Sequence, residues 1–157
     1  MELLFLIPIL TFAAIYAVYR EWLHRARRRL ARELNLLRRR ISIYEELKGA
    51  VQPLREEGSV SRSDVDRFAR ALAEIRPPLF DADLESFVGS LYRALLKKCA
   101  LDALLVKAAT FAQSAEDRAL TEMGRKKSLE LGSQITEGIY QDMPKRMQKF
   151  LPPRPAA

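Results

Sequence analysis

Residues 23–54 read LHRARRRLARELNLLRRRISIYEELKGAVQPL, and the apolar residues of this stretch are regularly spaced. Its apolar residues recur every three or four positions, which is the spacing of one face of a helix. The row consists of Leu23, Ala26, Leu30, Leu34, Leu37, Ile41, Tyr44, Leu47, Val51 and Leu54. Because no glycine interrupts the row before Gly49, the pattern predicts one long amphipathic helix over residues 21–57.

Two explanations of this apolar row are open from the sequence. Later helices of the same chain could cover it, or two copies of the chain could pair through the Leu23–Leu54 stripe as a parallel homodimer. The spacing is too irregular for a strict heptad repeat, and the remaining chain has ample apolar helix. We therefore prefer cover by the same chain.

The segment that precedes this helix is apolar, and residues 3–19 carry no charge. As a helix they would be about 26 Å long, which is at the short end of what spans a bilayer core of about 30 Å. Tyr16, Tyr19 and Trp22 would form an aromatic belt at the interface, where the Arg20 head group can also lie. We predict a transmembrane anchor over residues 1–20. A cleaved signal peptide and a buried soluble helix are the less favoured alternatives.

The net charge of +7 is concentrated directly after this segment. Residues 1–40 hold nine arginines against three glutamates, whereas residues 41–157 hold eighteen basic against seventeen acidic residues. Basic residues that flank a span are retained on the cytoplasmic side. The predicted location is the plasma (inner) membrane as a single-pass protein, with the N-terminus outside and the body cytoplasmic. The basic cluster predicted to contact anionic lipid, or less favourably nucleic acid, is Arg25, Arg27, Arg28, Arg29, Arg32, Arg38, Arg39 and Arg40.

Turn and capping signals divide the rest of the chain into further helices. Gly58 is a helix end, Ser61-x-x-Asp64 a capping box that starts a second helix, and Pro77 a stop. A third helix, capped by Asp81 or Asp83, is predicted to run to about residue 113. Its second apolar row, at positions 101, 104, 108 and 111, indicates neighbours on more than one side.

The C-terminal part of the chain has weaker signals. Ser114-x-x-Asp117 predicts another helix start and Gly132 a helix end. A last amphipathic piece follows, in which Ile135, Ile139, Met143 and Met147 face inward and Pro144 leaves the turn uncertain. The fold class is therefore all-α: a transmembrane helix continuing into the long amphipathic helix, packed with a cytoplasmic bundle (58–150) of about three to four further helices. Residues 151–157 form a Pro-rich tail.

Residues able to perform catalysis are few and scattered in the sequence. His24 is the only histidine and Cys99 the only cysteine, so neither a His-based triad nor a zinc site is indicated. Asp81, Asp83 and Glu85 alternate, but acidic residues at a helix start are explained by capping. We predict no catalytic residue, no cofactor and no metal.

The function predicted from these features is a non-enzymatic, single-pass interaction or scaffold module on the cytoplasmic face, with the membrane and an unidentified protein as partners. A tethered binder of nucleic acid or anionic lipid is the alternative, and an accessory subunit of an enzyme complex is a third hypothesis.

Overall fold

The computed structural model of the chain describes residues 3–111 and 115–150, and it describes side chains for 15–110 and 116–150. All regular structure in these ranges is helical, which confirms the all-α class. The helices are α1 (Leu3–Glu57), α2 (Arg62–Ala73), α3 (Ala82–Phe111), α4 (Ala115–Glu137) and α5 (Met143–Met147), with a π-helical turn at Gly138–Asp142 and a 3-10 turn at Gln148–Phe150.

The chain forms two compact units, Met1–Arg38 and Arg39–Ala157. In the first unit the described residues belong to α1 alone. The second unit contains the end of α1 and all the other helices. The core described below belongs to this second unit.

Most of the predicted transmembrane segment lies outside the residues whose side chains are described. Within the part of the chain that the structure does describe, no helix combines the length and the apolar character needed to cross a bilayer.

The turn between α1 and α2 follows the sequence signals. Gly58 has a φ of +70°, a conformation that favours glycine, and its N–H bonds to the Leu54 carbonyl at 3.1 Å. Ser61 and Asp64 form the predicted capping box in both directions. Asp81 then caps α3 by accepting a hydrogen bond from the Leu84 N–H at 3.0 Å, so the cap is Asp81 rather than Asp83.

One apolar core holds the second unit together, and α1, α2, α3 and the C-terminal segment contribute side chains to it. The buried side chains include Ile43, Leu47, Val51 and Leu54 of α1; Val65, Phe68 and Ala71 of α2; Leu84, Val88, Leu91 and Leu95 of α3; and Ile135, Ile139, Met143 and Met147 of the C-terminal segment. The four C-terminal positions confirm the sequence prediction.

The apolar row of α1 is exposed in its N-terminal part and buried in its C-terminal part. Leu47, Val51 and Leu54 are buried by the same chain, whereas Leu30, Leu34 and Ile41 are exposed. Two residues that are three positions apart differ by about 60° in their direction around the helix axis. Because Ile41, Tyr44 and Leu47 are separated by two such steps, Leu47 faces a direction about 120° away from that of Ile41. Cover by later helices is thus confirmed for the C-terminal part of the row only.

One prediction for the C-terminal segment is wrong. Gly132 is not a helix end, because α4 continues through it to Glu137. A Cβ atom at Gly132 would lie 3.3 Å from Leu54 Cδ1 and 3.4 Å from Lys98 Cε, so glycine serves close helix packing here. The prediction that α3 has neighbours on more than one side is confirmed, because it contacts both α2 and α4. The predicted cap Ser114 and the tail 151–157 lie outside the described residues.

The chain passes Pro144 without a loop. Proline lacks an N–H and its ring conflicts with the carbonyl four residues earlier in a regular helix. Here the five residues before Met143 form a π-helical turn, in which the Met143 N–H bonds to the Gly138 carbonyl. The wider turn admits Pro144 at the first turn of α5.

Candidate interaction surfaces

The arginines predicted to bind lipid or nucleic acid divide into two groups. Arg39 forms an ion pair with Glu74. Arg40 donates to the carbonyls of Leu79 at 2.7 Å and Phe150 at 2.9 Å, and its guanidinium lies 5.1 Å from the centre of the Phe150 ring. Arg40 therefore connects α1 to distant parts of the bundle, whereas the Arg39–Glu74 pair lies at the surface. Sequence alone contains no signal that separates these two arginines from their neighbours.

The remaining arginines of the cluster are exposed. Arg25 makes an exposed ion pair with Glu21 at 3.0 Å, an arrangement that contributes little to stability. The other exposed members are Arg27, Arg28, Arg29, Arg32 and Arg38. All six lie in the first unit.

The predicted interface aromatics are also exposed. Tyr16, Tyr19 and Trp22 each present much of their surface, and the rings of Tyr19 and Trp22 stack with centroids 6.2 Å apart. Arg20 is exposed beside them. This set has the composition of an interfacial belt.

The C-terminal part of α3 and the N-terminal part of α4 form a two-helix arm, which we define as residues 99–110 and 116–127. The last buried residue of α3 is Lys98 and the first of α4 is Ser128. Among the described residues of the arm, none is buried. The two helices of the arm contact each other through Gly124, Leu101 and Leu105.

Apolar residues are nevertheless frequent on the arm. Leu104 is 62% exposed and Leu120 63% exposed, and the others with high exposure are Val106 and Met123. Leu104 belongs to the second apolar row of α3, in which Ala108 is also exposed and Leu101 is half-buried. Phe111, its last member, lies outside the described side chains. Contiguous exposed apolar patches are characteristic of interaction sites.

A shallow cleft of about 330 Å³ runs along the groove between the two helices of the arm. It is lined by Leu101, Leu104, Leu105, Ala108, Asp117, Leu120, Thr121 and Gly124. Gly124 allows the close approach, because a Cβ there would come within 2.8 Å of Leu105 Cδ2. The arrangement offers an apolar floor with two polar groups at one end.

A buried polar cluster anchors the base of the arm. Lys98, only 2% exposed, donates to Ser128 Oγ at 2.7 Å and to Asp102 Oδ2 at 3.0 Å. Ser128 Oγ in turn donates to Asp102 Oδ1. Although serine and lysine side chains are paired in some hydrolases, here the ammonium and the hydroxyl both donate to one carboxylate. The cluster satisfies its own polar groups and links α3 to α4.

The other residues considered for chemistry have structural roles or lie apart. Asp81 pairs with Lys149 as well as capping α3. Cys99 is half-buried and His24 is exposed, and the two belong to different units. Within the described part of the chain, no three His, Cys, Asp or Glu residues are grouped so as to hold a metal ion.

Comparison with known proteins identifies no relative: no protein-family model, curated protein or solved structure matches the chain.

Proposed function

We propose that the protein is a non-enzymatic, membrane-anchored interaction module whose two-helix arm binds an amphipathic helix of a cytoplasmic protein. The observation that carries the proposal is the arm itself, in which about three turns of each helix expose leucine, valine and methionine side chains. Exposed apolar surface is costly in water unless it is covered when the protein acts. The chain does not supply that cover among its described residues.

The shape and charge of the arm favour a helical partner. A groove between two packed helices accepts the apolar face of a third helix, with anchor side chains spaced three or four residues apart. Residues 99–127 carry five basic and four acidic residues. Because the net charge of the arm is only +1, the apolar anchors rather than long-range attraction would determine the affinity.

The membrane location is proposed from the sequence of the N-terminal unit. Residues 3–19 remain uncharged and apolar, and the exposed belt of Tyr16, Tyr19 and Trp22 directly precedes the exposed arginines. This order suits a helix that crosses the bilayer and leaves it on the cytoplasmic side. A reporter enzyme that is active only outside the membrane, fused after Ala157, should then be silent. Activity of that fusion would invert the topology.

Anchoring and partner binding are tested separately. Removal of residues 1–19 should release the chain from membranes, and continued pelleting after a high-salt wash would contradict the anchor.

For the arm, Leu104→Asp combined with Leu120→Asp places two charges on its apolar groove. The matched control is Glu122→Gln, an exposed polar site on the same arm.

The double variant should lose the proteins that co-purify with the wild-type chain from detergent-solubilised membranes, and it should bind less of a dye that reports apolar surface. The Glu122→Gln variant should retain both. Partners that are held equally by the double variant would contradict the arm as the binding surface. The melting temperature should barely change in either variant, because neither leucine is buried.

A second candidate function is binding of anionic lipid or nucleic acid, favoured by the exposed Arg27, Arg28, Arg29 and Arg32. Only the arginines within about one Debye length, roughly 8 Å, of a bilayer surface would interact with its lipids strongly. Binding of a duplex oligonucleotide that falls steeply between about 50 and 200 mM salt would favour nucleic acid. Absence of binding at low salt would exclude this candidate.

A further inference from the structure

The exposed row of α1 has the spacing of a short coiled-coil seam. Leu30, Leu34, Leu37 and Ile41 are separated by steps of four, three and four residues, which is the alternation of d and a positions in a heptad. Leu30 is 58%, Leu34 45% and Ile41 46% exposed, and Leu37 is half-buried. The bundle buries a different set of α1 positions, beginning with Ile43.

The width of the row distinguishes a protein seam from a lipid-facing surface. At about 100° per residue, the four positions fall within about 60° of arc on the helix. A helix that lies in a membrane interface has a broad apolar face, whereas a strict a/d stripe is the narrow seam of paired helices. Arginines at 28, 29, 32 and 38 occupy the remaining surface.

The charges beside the seam complement a second copy of the chain. With Leu30 and Leu37 at d and Leu34 and Ile41 at a, Glu33 takes a g position and Arg38 the following e position. In a parallel in-register dimer, g of one helix lies opposite the next e of its partner. Glu33 of each copy therefore meets Arg38 of the other, in two symmetric pairs. Both side chains are exposed and available in the single chain.

We propose that two copies of the chain pair in parallel through Leu30, Leu34, Leu37 and Ile41, with Glu33–Arg38 ion pairs across the seam. A seam of two heptads is short for a soluble coiled coil. The inference rests on the proposed anchor, because two copies anchored in one membrane share an orientation and a high effective concentration. Arg27, at the preceding a position, limits the seam on the N-terminal side and opposes larger assemblies.

The test uses the full-length chain in membranes, with Cys99→Ser to remove the native thiol. Leu30→Cys and Leu37→Cys, introduced one at a time, should each give a two-chain product with a short thiol-reactive crosslinker. Only in a parallel in-register pair do residues 30 and 37 each lie opposite the same residue of the second chain. Asn35→Cys, on an exposed position away from the seam, is the matched control and should not crosslink. Equal crosslinking at all three positions, or none at 30 and 37, would overturn the proposal.

A charge exchange then tests the register of the pair. In detergent solution, Glu33→Arg or Arg38→Glu alone should weaken dimerisation about tenfold, since each creates two like-charge contacts. The two substitutions together should restore the affinity to within about threefold, because the ion pairs are re-formed in the opposite sense. Failure of the combined variant to recover would contradict the proposed pairing.

These experiments distinguish failure of the proposed dimer from failure of the proposed anchor. A chain that stays in salt-washed membranes but does not crosslink would retain the proposed anchor and exclude the dimer. A chain that is released from membranes by a salt wash would exclude the anchor itself, whatever the crosslinking result.

Discussion

Two glycines in the bundle differ in what surrounds them, and this difference predicts opposite effects of the same substitution. A Cβ atom at Gly138 would lie 2.7 Å from Cδ2 and 2.9 Å from Cδ1 of the buried Leu91, whereas nothing lies within 4 Å of a Cβ at Gly89. Gly138→Ala should therefore destabilise the protein by about 1–2 kcal/mol through overpacking. Gly89→Ala should stabilise it by about 0.5–1 kcal/mol, because alanine loses less conformational entropy in a helix.

Chemical denaturation of the two variants under one set of conditions measures both effects. The sign is the decisive result: a stabilised Gly138→Ala variant would mean that Leu91 has room to move. Close packing around the π-helical turn would then not be the reason for a glycine at this position.

Asp81 predicts a pH dependence of stability at acid pH. Hydrogen bonds from Lys149 and then from the Leu84 N–H hold the pKa of this carboxyl below its ordinary value. A depressed pKa in the folded state means stabilisation that is present above the unfolded pKa of about 4 and is lost as pH falls through the folded pKa. Asp81→Asn keeps a capping side chain but cannot titrate.

The melting temperature of Asp81→Asn should therefore fall less steeply than that of the wild type between about pH 4 and pH 2. Asp83→Asn, on the exposed first turn of the same helix, is the control and should follow the wild-type profile more closely. Parallel profiles for wild type and Asp81→Asn would contradict the role of the Lys149 contact.

At the scale of the helices, the polar cluster at the base of the arm should be sensitive to the loss of one member. Asp102→Leu leaves the Lys98 ammonium buried without its carboxylate, which should cost about 3–5 kcal/mol of unfolding free energy. Replacement of the whole cluster, by Lys98→Met, Asp102→Leu and Ser128→Ala together, removes the uncompensated charge as well. The triple variant should recover most of the lost stability.

Thermal denaturation of the single and triple variants provides the measurement. If the triple variant were as unstable as Asp102→Leu, the cluster would contribute net stability rather than only a specific connection between α3 and α4. In the single variant, hydrogen exchange of the arm should rise before that of the core, because the arm has no buried residues among those described.

At the scale of the whole molecule, the core predicts that residues 39–157 fold without the N-terminal unit. Among the residues whose side chains are described, every member of the buried core lies at or after Ile43. A fragment of residues 39–157 should be helical by circular dichroism and should unfold cooperatively, and Leu47→Ala should destabilise it by about 2–5 kcal/mol at any protein concentration. A fragment that does not unfold cooperatively would show that the first unit is needed for folding.

The sequence by itself determined the local features of this protein. The helical class, the capping box at Ser61 and Asp64, the left-handed Gly58 and the inward C-terminal row are each encoded within a few residues. Such features depend on backbone geometry and on the period of a helix, both of which are local. The same local reasoning predicts the membrane anchor and the binding of anions by the arginines. Both stay predictions, because they concern the surroundings of the chain.

Only the tertiary structure decided which apolar and charged residues the chain covers for itself. Leu30 and Leu47 have the same place in the sequence pattern, yet Leu30 is exposed and Leu47 is buried. Arg38 and Arg40 are likewise equivalent in sequence, but Arg40 reaches carbonyls of Leu79 and Phe150, which are distant along the chain. Periodicity shows that a helix has an apolar face; whether that face is covered depends on contacts between residues far apart in sequence, and those contacts exist only in the folded bundle.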